Sequence, residues 1–193
     1  MLLLDRPASE VLHTELTLEE YLALPEDTRC EIIDGVLRPM TRSGKRHRTV
    51  QRRLANALES RAPDGLLVAE EEVVIFKAVP PSTRIPDISV YDDAVVVDPD
   101  SNSVPVTGMT LVVEVVSPGS ETEDRYHKPG DYARNGIAHF WRIEMTPDIE
   151  VVTYELVNGV YHETGVFRRG DRIAVESLPW VDVDVTDLLG PFA

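Results

Sequence analysis

The stretch LVVEVVSPGS, residues 111–120, decides how the rest of the chain is read. Leu111, Val112, Val113, Val115 and Val116 are apolar at odd and even positions alike, the pattern of a strand covered on both faces. Glu114 interrupts that pattern. An unpaired carboxylate buried in such a strand costs several kcal/mol, a large part of a domain's whole stability margin. Glu114 therefore either sits at an edge, pairs with a cation such as an arginine, or holds a ligand.

Working outward, the segment TRIPDISVYDD upstream reads as a neighbouring strand, with Pro86 at its start or on an edge. On it Asp87 shares a face with Ile85 and Ser89, while Ile88 and Val90 point the other way. Downstream, PGSETEDRYHKPGDYARNG carries helical residues that Pro129-Gly130 interrupts, with Pro129 in the first turn of a short helix ending near Gly136. AHFWRIE and EVVTYEL read as strands, and Phe140 and Trp141 as core. ELVNGVYHETGVF is a hairpin turned at Asn158-Gly159. DRIAVESL gives one further strand and VTDLLG a last turn.

The N-terminal half opens with TLEEYLAL, where Thr17 and Glu20 form a capping box. EIIDGVL is a hairpin turned on Asp34-Gly35. HRTVQRRLANALESRA is a helix with Val50, Leu54 and Leu58 on one face. LLVAEEEVVIF reads as one strand, AVVV as a short strand extension and DPDSNSVPVTG as a loop. The order predicts an α/β (α+β) architecture, a central mixed sheet flanked by helices with extra β-hairpins, in one domain over residues 1–193.

Composition narrows the class. Hydrophobic residues at 42% and charged residues at 27% describe an ordinary globular chain. No apolar run reaches the ~20 residues of a membrane span, so no membrane association is expected. MLLLDRPASE lacks the basic start of a signal peptide, and Cys30 is the lone cysteine, so a cytoplasmic protein without disulfides is expected. The net charge of −15 disfavours nucleic acid as a partner of the whole surface. However, Arg38, Arg42, Lys45, Arg46, Arg48, Arg52 and Arg53 fall in one window with no acid among them. Screening over roughly 8 Å lets such a patch act alone. It reads equally as a solvated helix face or as a phosphate-binding surface.

Three acids could carry chemistry: Glu114, Asp87 and Glu31, the last opening EIIDGVL. Two strands that bring one acid each to the same place make a hard-oxygen site of the kind that holds Mg²⁺. At ~4 Å and an effective dielectric near 20, two such charges repel by about 4 kcal/mol, so one must be compensated or protonated. Lys128, with Asp124 between it and Glu114, could reach a phosphate or an attacking water there. Other chemistries lack support: there is no G-x-S-x-G, no phosphate-binding glycine loop, and no zinc spacing among His13, His47, His127, His139 and His162.

The ordered set IPD, then VVEVVSPGSETEDRYHKPGDYARNGIAHFW, preceded by TLEEYLALPEDTRCEIIDGVL and by His47 ahead of a helix, resembles the bacterial Uma family of restriction endonucleases. That family lies within the PD-(D/E)XK nuclease superfamily. The resemblance spans roughly residues 15–160. It implies a restriction-endonuclease-like core, with Asp87 and Glu114 as the ligands of Mg²⁺ or Mn²⁺ and Glu31 facing the same site. The superfamily lysine two residues after the acid is here Val116, and Lys128 matches the lysine of the family pattern. The implied activity is metal-dependent hydrolysis of DNA phosphodiesters, with a homodimer as the acting form. Lys45, His47, Arg48 and Arg52 are the expected contacts to the DNA backbone. The competing expectation is a catalytically inactive regulatory or interaction protein on the same fold, using a sheet edge or the Tyr154–Tyr161 hairpin.

Overall fold

The computed structural model describes residues 16–25, 28–41 and 43–192. Arg42 of the basic window and the N-terminal segment lie outside the described residues. The capping box forms as expected: Thr17 and Glu20 satisfy each other's backbone N–H groups at the head of α1 (Leu18–Leu22). The hairpin follows as β1 (Cys30–Ile33) and β2 (Val36–Pro39), with Asp34 and Gly35 both at positive φ in the turn. Then comes α2 (Lys45–Glu59), which buries Val50, Leu54 and Leu58.

Two segments read as single strands are each split. LLVAEEEVVIF breaks at Glu71, whose φ of 52° turns the chain, giving β3 (Leu66–Glu70) and β4 (Val73–Ala78) in different sheets. TRIPDISVYDD breaks at Ile85-Pro86, giving β5 (Pro81–Arg84) and β6 (Ile88–Asp92). Proline has no N–H for a ladder, so the chain changes sheet there. AVVV is not a strand extension, for residues Asp93–Val95 form a 3₁₀ turn capped by Asp92. The polar loop that follows contains β7 (Ser103–Pro105), a short parallel partner of β4.

LVVEVVS is the core of β8 (Met109–Val115). Pro129 sits in the first turn of a short helix as expected, but Pro129-Gly130 does not interrupt the helical path that leads into it. A π-helical turn (Glu123–His127) runs directly into α3 (Lys128–Arg134). The Lys128 N–H reaches back to the carbonyl of Glu123, five residues away, and Pro129 follows where the widened turn relieves the clash a proline ring makes in a regular helix. β9 (His139–Glu144), β10 (Glu150–Val157) and β11 (Val160–Arg168) complete the main sheet. The tail gives two strands where one is expected, β12 (Arg172–Val175) and β13 (Leu178–Asp184), and then α4 (Val185–Leu189).

The six-stranded sheet has the order β11-β10-β9-β8-β6-β3. Only β8 and β9 run parallel; the other pairs are antiparallel, so the sheet is mixed. One face packs on α2: Ile88, Val90, Val113, Val115, Trp141 and Ile143 meet Val50, Leu54 and Leu58. The other face carries Tyr91, Val112 and Phe140 against Tyr132 of α3. Phe140 and Trp141, at 1% and 0% exposure, are core as expected. Among the described residues no helix is long and apolar enough to cross a membrane.

Candidate active site

The β6–β8 register pairs Ile88 with Val113, so the next step along both strands sets Asp87 opposite Glu114. Opposed residues of an antiparallel pair project to the same face. For Glu114 this is the α3 face, because its neighbours Val113 and Val115 belong to the α2 face. Asp87 lies just before β6, where the split at Pro86 leaves the chain free of the ladder. Its main chain is held from two sides, with the carbonyl accepting from Gln51 Nε2 of α2 at 3.0 Å and from the Glu71 N–H at 3.3 Å. Its carboxylate Oδ2 accepts from the Val115 N–H at 2.7 Å, and His47 Nε2 lies 3.2 Å from the same oxygen. Oδ1 has no hydrogen-bond partner among the described residues.

Glu114 is 1% exposed and is not left alone. Lys128 Nζ donates to Oε2 at 2.8 Å, and the Tyr132 hydroxyl donates a short hydrogen bond to Oε1. The same ammonium lies 3.1 Å from Asp124 Oδ1. Asp124 is buried too, and its Oδ2 accepts from Ser120 Oγ at 2.5 Å. One ammonium thus serves two buried carboxylates. Burial pushes the Glu114 carboxyl well above the ordinary range, although Lys128 pulls it back. Burial also pushes Asp124 up. Burial opposes charge on Lys128, but Glu114 and the other acids around it outweigh that and hold its pKa above the usual value. Tyr132, fully buried beside Glu114, is pushed far up and stays a protonated donor.

Glu31 reaches the same cavity of about 200 Å³, but both its oxygens are engaged. Oε2 accepts from Arg84 at 2.6 Å and Oε1 from the Ile85 N–H at 3.0 Å. Arg84 is itself 5% exposed and also binds Asp131 on α3. This buried guanidinium ties β1 and β5 to the helix that carries Lys128. His47 is buried rather than presented to solvent, and at its place on α2 it buttresses Asp87. Burial disfavours its charged form, but the Asp87 carboxylate more than offsets this and raises its pKa. Lys45, Arg48 and Arg52 are exposed on α2.

The structure therefore brings Asp87, Glu114, Lys128, Glu31 and His47 to one cavity. Sequence reasoning did not single out Arg84, Asp124 or Tyr132. The signal for two of them was present, since Asp124, Lys128 and Tyr132 recur every four residues and share one helical face. Breaking the helix at Pro129 hid that spacing. Arg84 gave no comparable signal, because its partners come from two distant parts of the chain, β1 and the helical segment that includes α3.

The donor set suits a divalent cation bound by few protein ligands. Asp87 and Glu114 line one cavity and Asp87 Oδ1 is free to accept, so a cation such as Mg²⁺, which needs few protein ligands, could be held there if it shared Glu114 with Lys128 and Tyr132. Among the described residues no group of three or more His, Cys, Asp or Glu side chains is arranged around a common point for a metal. The remaining acids of the cavity are taken by Arg84 and Lys128.

Comparison with known proteins bears on the fold and the family. The crystal structure of a protein described as a "putative nuclease belonging to DUF820", from Anabaena variabilis ATCC 29413, superposes with a TM-score of 0.72 at 20% sequence identity. The match covers 92% of this chain and 99% of that one, which establishes the shared fold. A search of curated proteins finds no significant match. The model of the Uma2 family, described as "Putative restriction endonuclease", matches residues 18–186. With nearly the whole chain inside that match, the protein belongs to the Uma2 family.

Proposed function

We propose that the chain is a metal-dependent endonuclease that hydrolyses phosphodiester bonds in DNA. The observation that carries this reading is the register that sets Asp87 opposite Glu114, at a cavity that Lys128 also lines. Asp87 and Glu114 would hold Mg²⁺ or Mn²⁺. A divalent cation bound there supplies charge stabilisation on a phosphate oxygen and a more acidic bound water.

The protein's own groups do the rest. The Val115 N–H and His47 fix one oxygen of Asp87 and leave the other for the ligand. Tyr132 fixes the rotamer of Glu114. Lys128 brings a positive charge to where the scissile phosphate would lie, from a helix instead of from the strand. Glu31 acts through Arg84 by holding the α3 helix and the Ile85 backbone in register. Lys45, Arg48 and Arg52 contact the DNA backbone, giving affinity with little sequence information. Two such chains acting as a cytoplasmic homodimer would cut both strands.

One observation favours a second reading, a catalytically inactive protein on the same fold: both oxygens of Glu114 are already engaged by Lys128 and Tyr132. Nicking of supercoiled plasmid at low salt in Mg²⁺ or Mn²⁺ separates the two. Cleavage by the wild type and none by Glu114→Ala, purified identically, is the expected result. Equal cleavage by both would place the activity elsewhere, and none by the wild type would favour the inactive reading.

A further inference from the structure

Glu114 already holds a cation before any metal arrives. Lys128 Nζ sits 2.8 Å from its Oε2, and the ammonium is 10% exposed. A divalent ion on Glu114 and an ammonium on the same carboxylate repel each other. A lysine with no other partner would then either block the metal or be driven from the cavity, where it could no longer meet a phosphate.

Asp124 removes that conflict. It lies four residues before Lys128 on the same helical face, and its Oδ1 is 3.1 Å from Nζ. It is 3% exposed, so its charge is weakly screened by water. Its second oxygen is held by Ser120 Oγ, which in turn accepts from the Ser117 N–H two residues past the end of β8. Asp124 is thus fixed to the strand that carries Glu114 and is aimed at the lysine. We propose that Asp124 is a positioning residue that keeps Lys128 in the cavity when a divalent cation takes Glu114. The ammonium shifts its weight from one carboxylate to the other and stays within reach of the phosphate. This proposal rests on the metal-site reading of Asp87 and Glu114.

The test is Mn²⁺ affinity by titration calorimetry on four proteins: the wild type, Asp124→Asn, Lys128→Gln and the double variant. Losing Asp124 leaves Lys128 with Glu114 alone, so Mn²⁺ must displace a tighter pair. Asp124→Asn is expected to weaken Mn²⁺ binding about tenfold or more, as loss of an outer partner commonly does. In the Lys128→Gln background the same change is expected to have little effect, because the residue through which Asp124 acts is gone. An equal loss in both backgrounds would overturn the proposal and make Asp124 a direct ligand or a simple long-range charge. A wild type that binds no Mn²⁺ would overturn the metal-site reading together with this proposal. A second measurement needs no lysine variant. With Mg²⁺ saturating, the Lys128 ammonium resonance should remain visible by NMR in the wild type, vanish in Asp124→Asn and return in Asp124→Glu. Its disappearance from the wild type on adding Mg²⁺ would contradict the proposal.

Discussion

The two faces of the six-stranded sheet are built from alternate residues of the same strands, yet they differ in kind. Under α2, Val113, Val115, Trp141 and Ile143 pack on Val50, Leu54 and Leu58 in one continuous apolar cluster. Under α3 an aromatic row running from Phe76 through Tyr132 and Phe140 to Tyr154 is set among aliphatic residues such as Val74, Val112 and Ile137. At Tyr132 the row meets buried charge: Glu114, Lys128, Asp124, Arg84 and Glu31. Tyr132 belongs to both parts, with its ring in the aromatic row and its hydroxyl on Glu114. The α2 face gains stability from burial that any apolar side chains of suitable volume supply. The α3 face carries desolvated charges, which are a weak device for stability.

Substitutions can break this division of labour. The largest effect is expected at Glu114→Gln, which should lower DNA cleavage by about 10³-fold or more, on the order of 4 kcal/mol. Its thermal midpoint should barely move, because the amide removes a buried charge and Lys128 keeps Asp124. A matching collapse of stability in a melting curve would mean that the face is structural after all. Next, Arg84→Ala should cost about 3–5 kcal/mol in denaturant unfolding, since it strands the buried Glu31 without its cation, while Asp131 keeps Arg134. On the opposite face, Leu54→Ala should cost about 3 kcal/mol through a cavity, while cleavage by the folded fraction stays near wild type.

Smaller effects sharpen the picture. Replacing Arg48 and Arg52 together by Ala should weaken DNA binding and reduce the slope of log affinity against log salt by about 1 for each lost phosphate contact. An unchanged slope in a fluorescence titration would move the DNA surface off α2. The smallest effect concerns His139, buried in β9, whose pKa burial lowers. Its unfolded form takes up a proton near pH 6.5, and its folded form resists doing so. Its contribution to stability is therefore present above pH 6.5 and is lost as pH falls toward its depressed folded value. His139→Gln should flatten that part of the acid decline in melting temperature between pH 7 and 5.

Much of this was legible in the chain because it rests on local signals. The capping box at Thr17, the turn at Asp34-Gly35 and the apolar stripe of α2 each depend on a few neighbouring residues. The Val-rich run around Glu114 pointed to a strand with both faces covered, and that is where β8 lies. The strand splits at Glu71 and Pro86 were not legible. They arise because the chain leaves one sheet for another, and periodicity looks the same on either side of the break. The charged side of the site was read only in part. Asp87, Glu114 and Lys128 stood out as charges in unusual company. Arg84 is defined by partners 53 and 47 residues away, which only the assembled fold brings to it. His47 looked like part of a basic surface because its neighbours on both sides are basic, yet its position on α2 turns it inward to Asp87.

The most direct test of the central claim is calorimetric titration of Mn²⁺ into the wild type and into Asp87→Asn at neutral pH. A single saturable site in the wild type, weakened at least about tenfold in the variant, is the predicted result. No binding by the wild type, or equal binding by both proteins, would contradict the claim that Asp87 and Glu114 together hold a divalent cation.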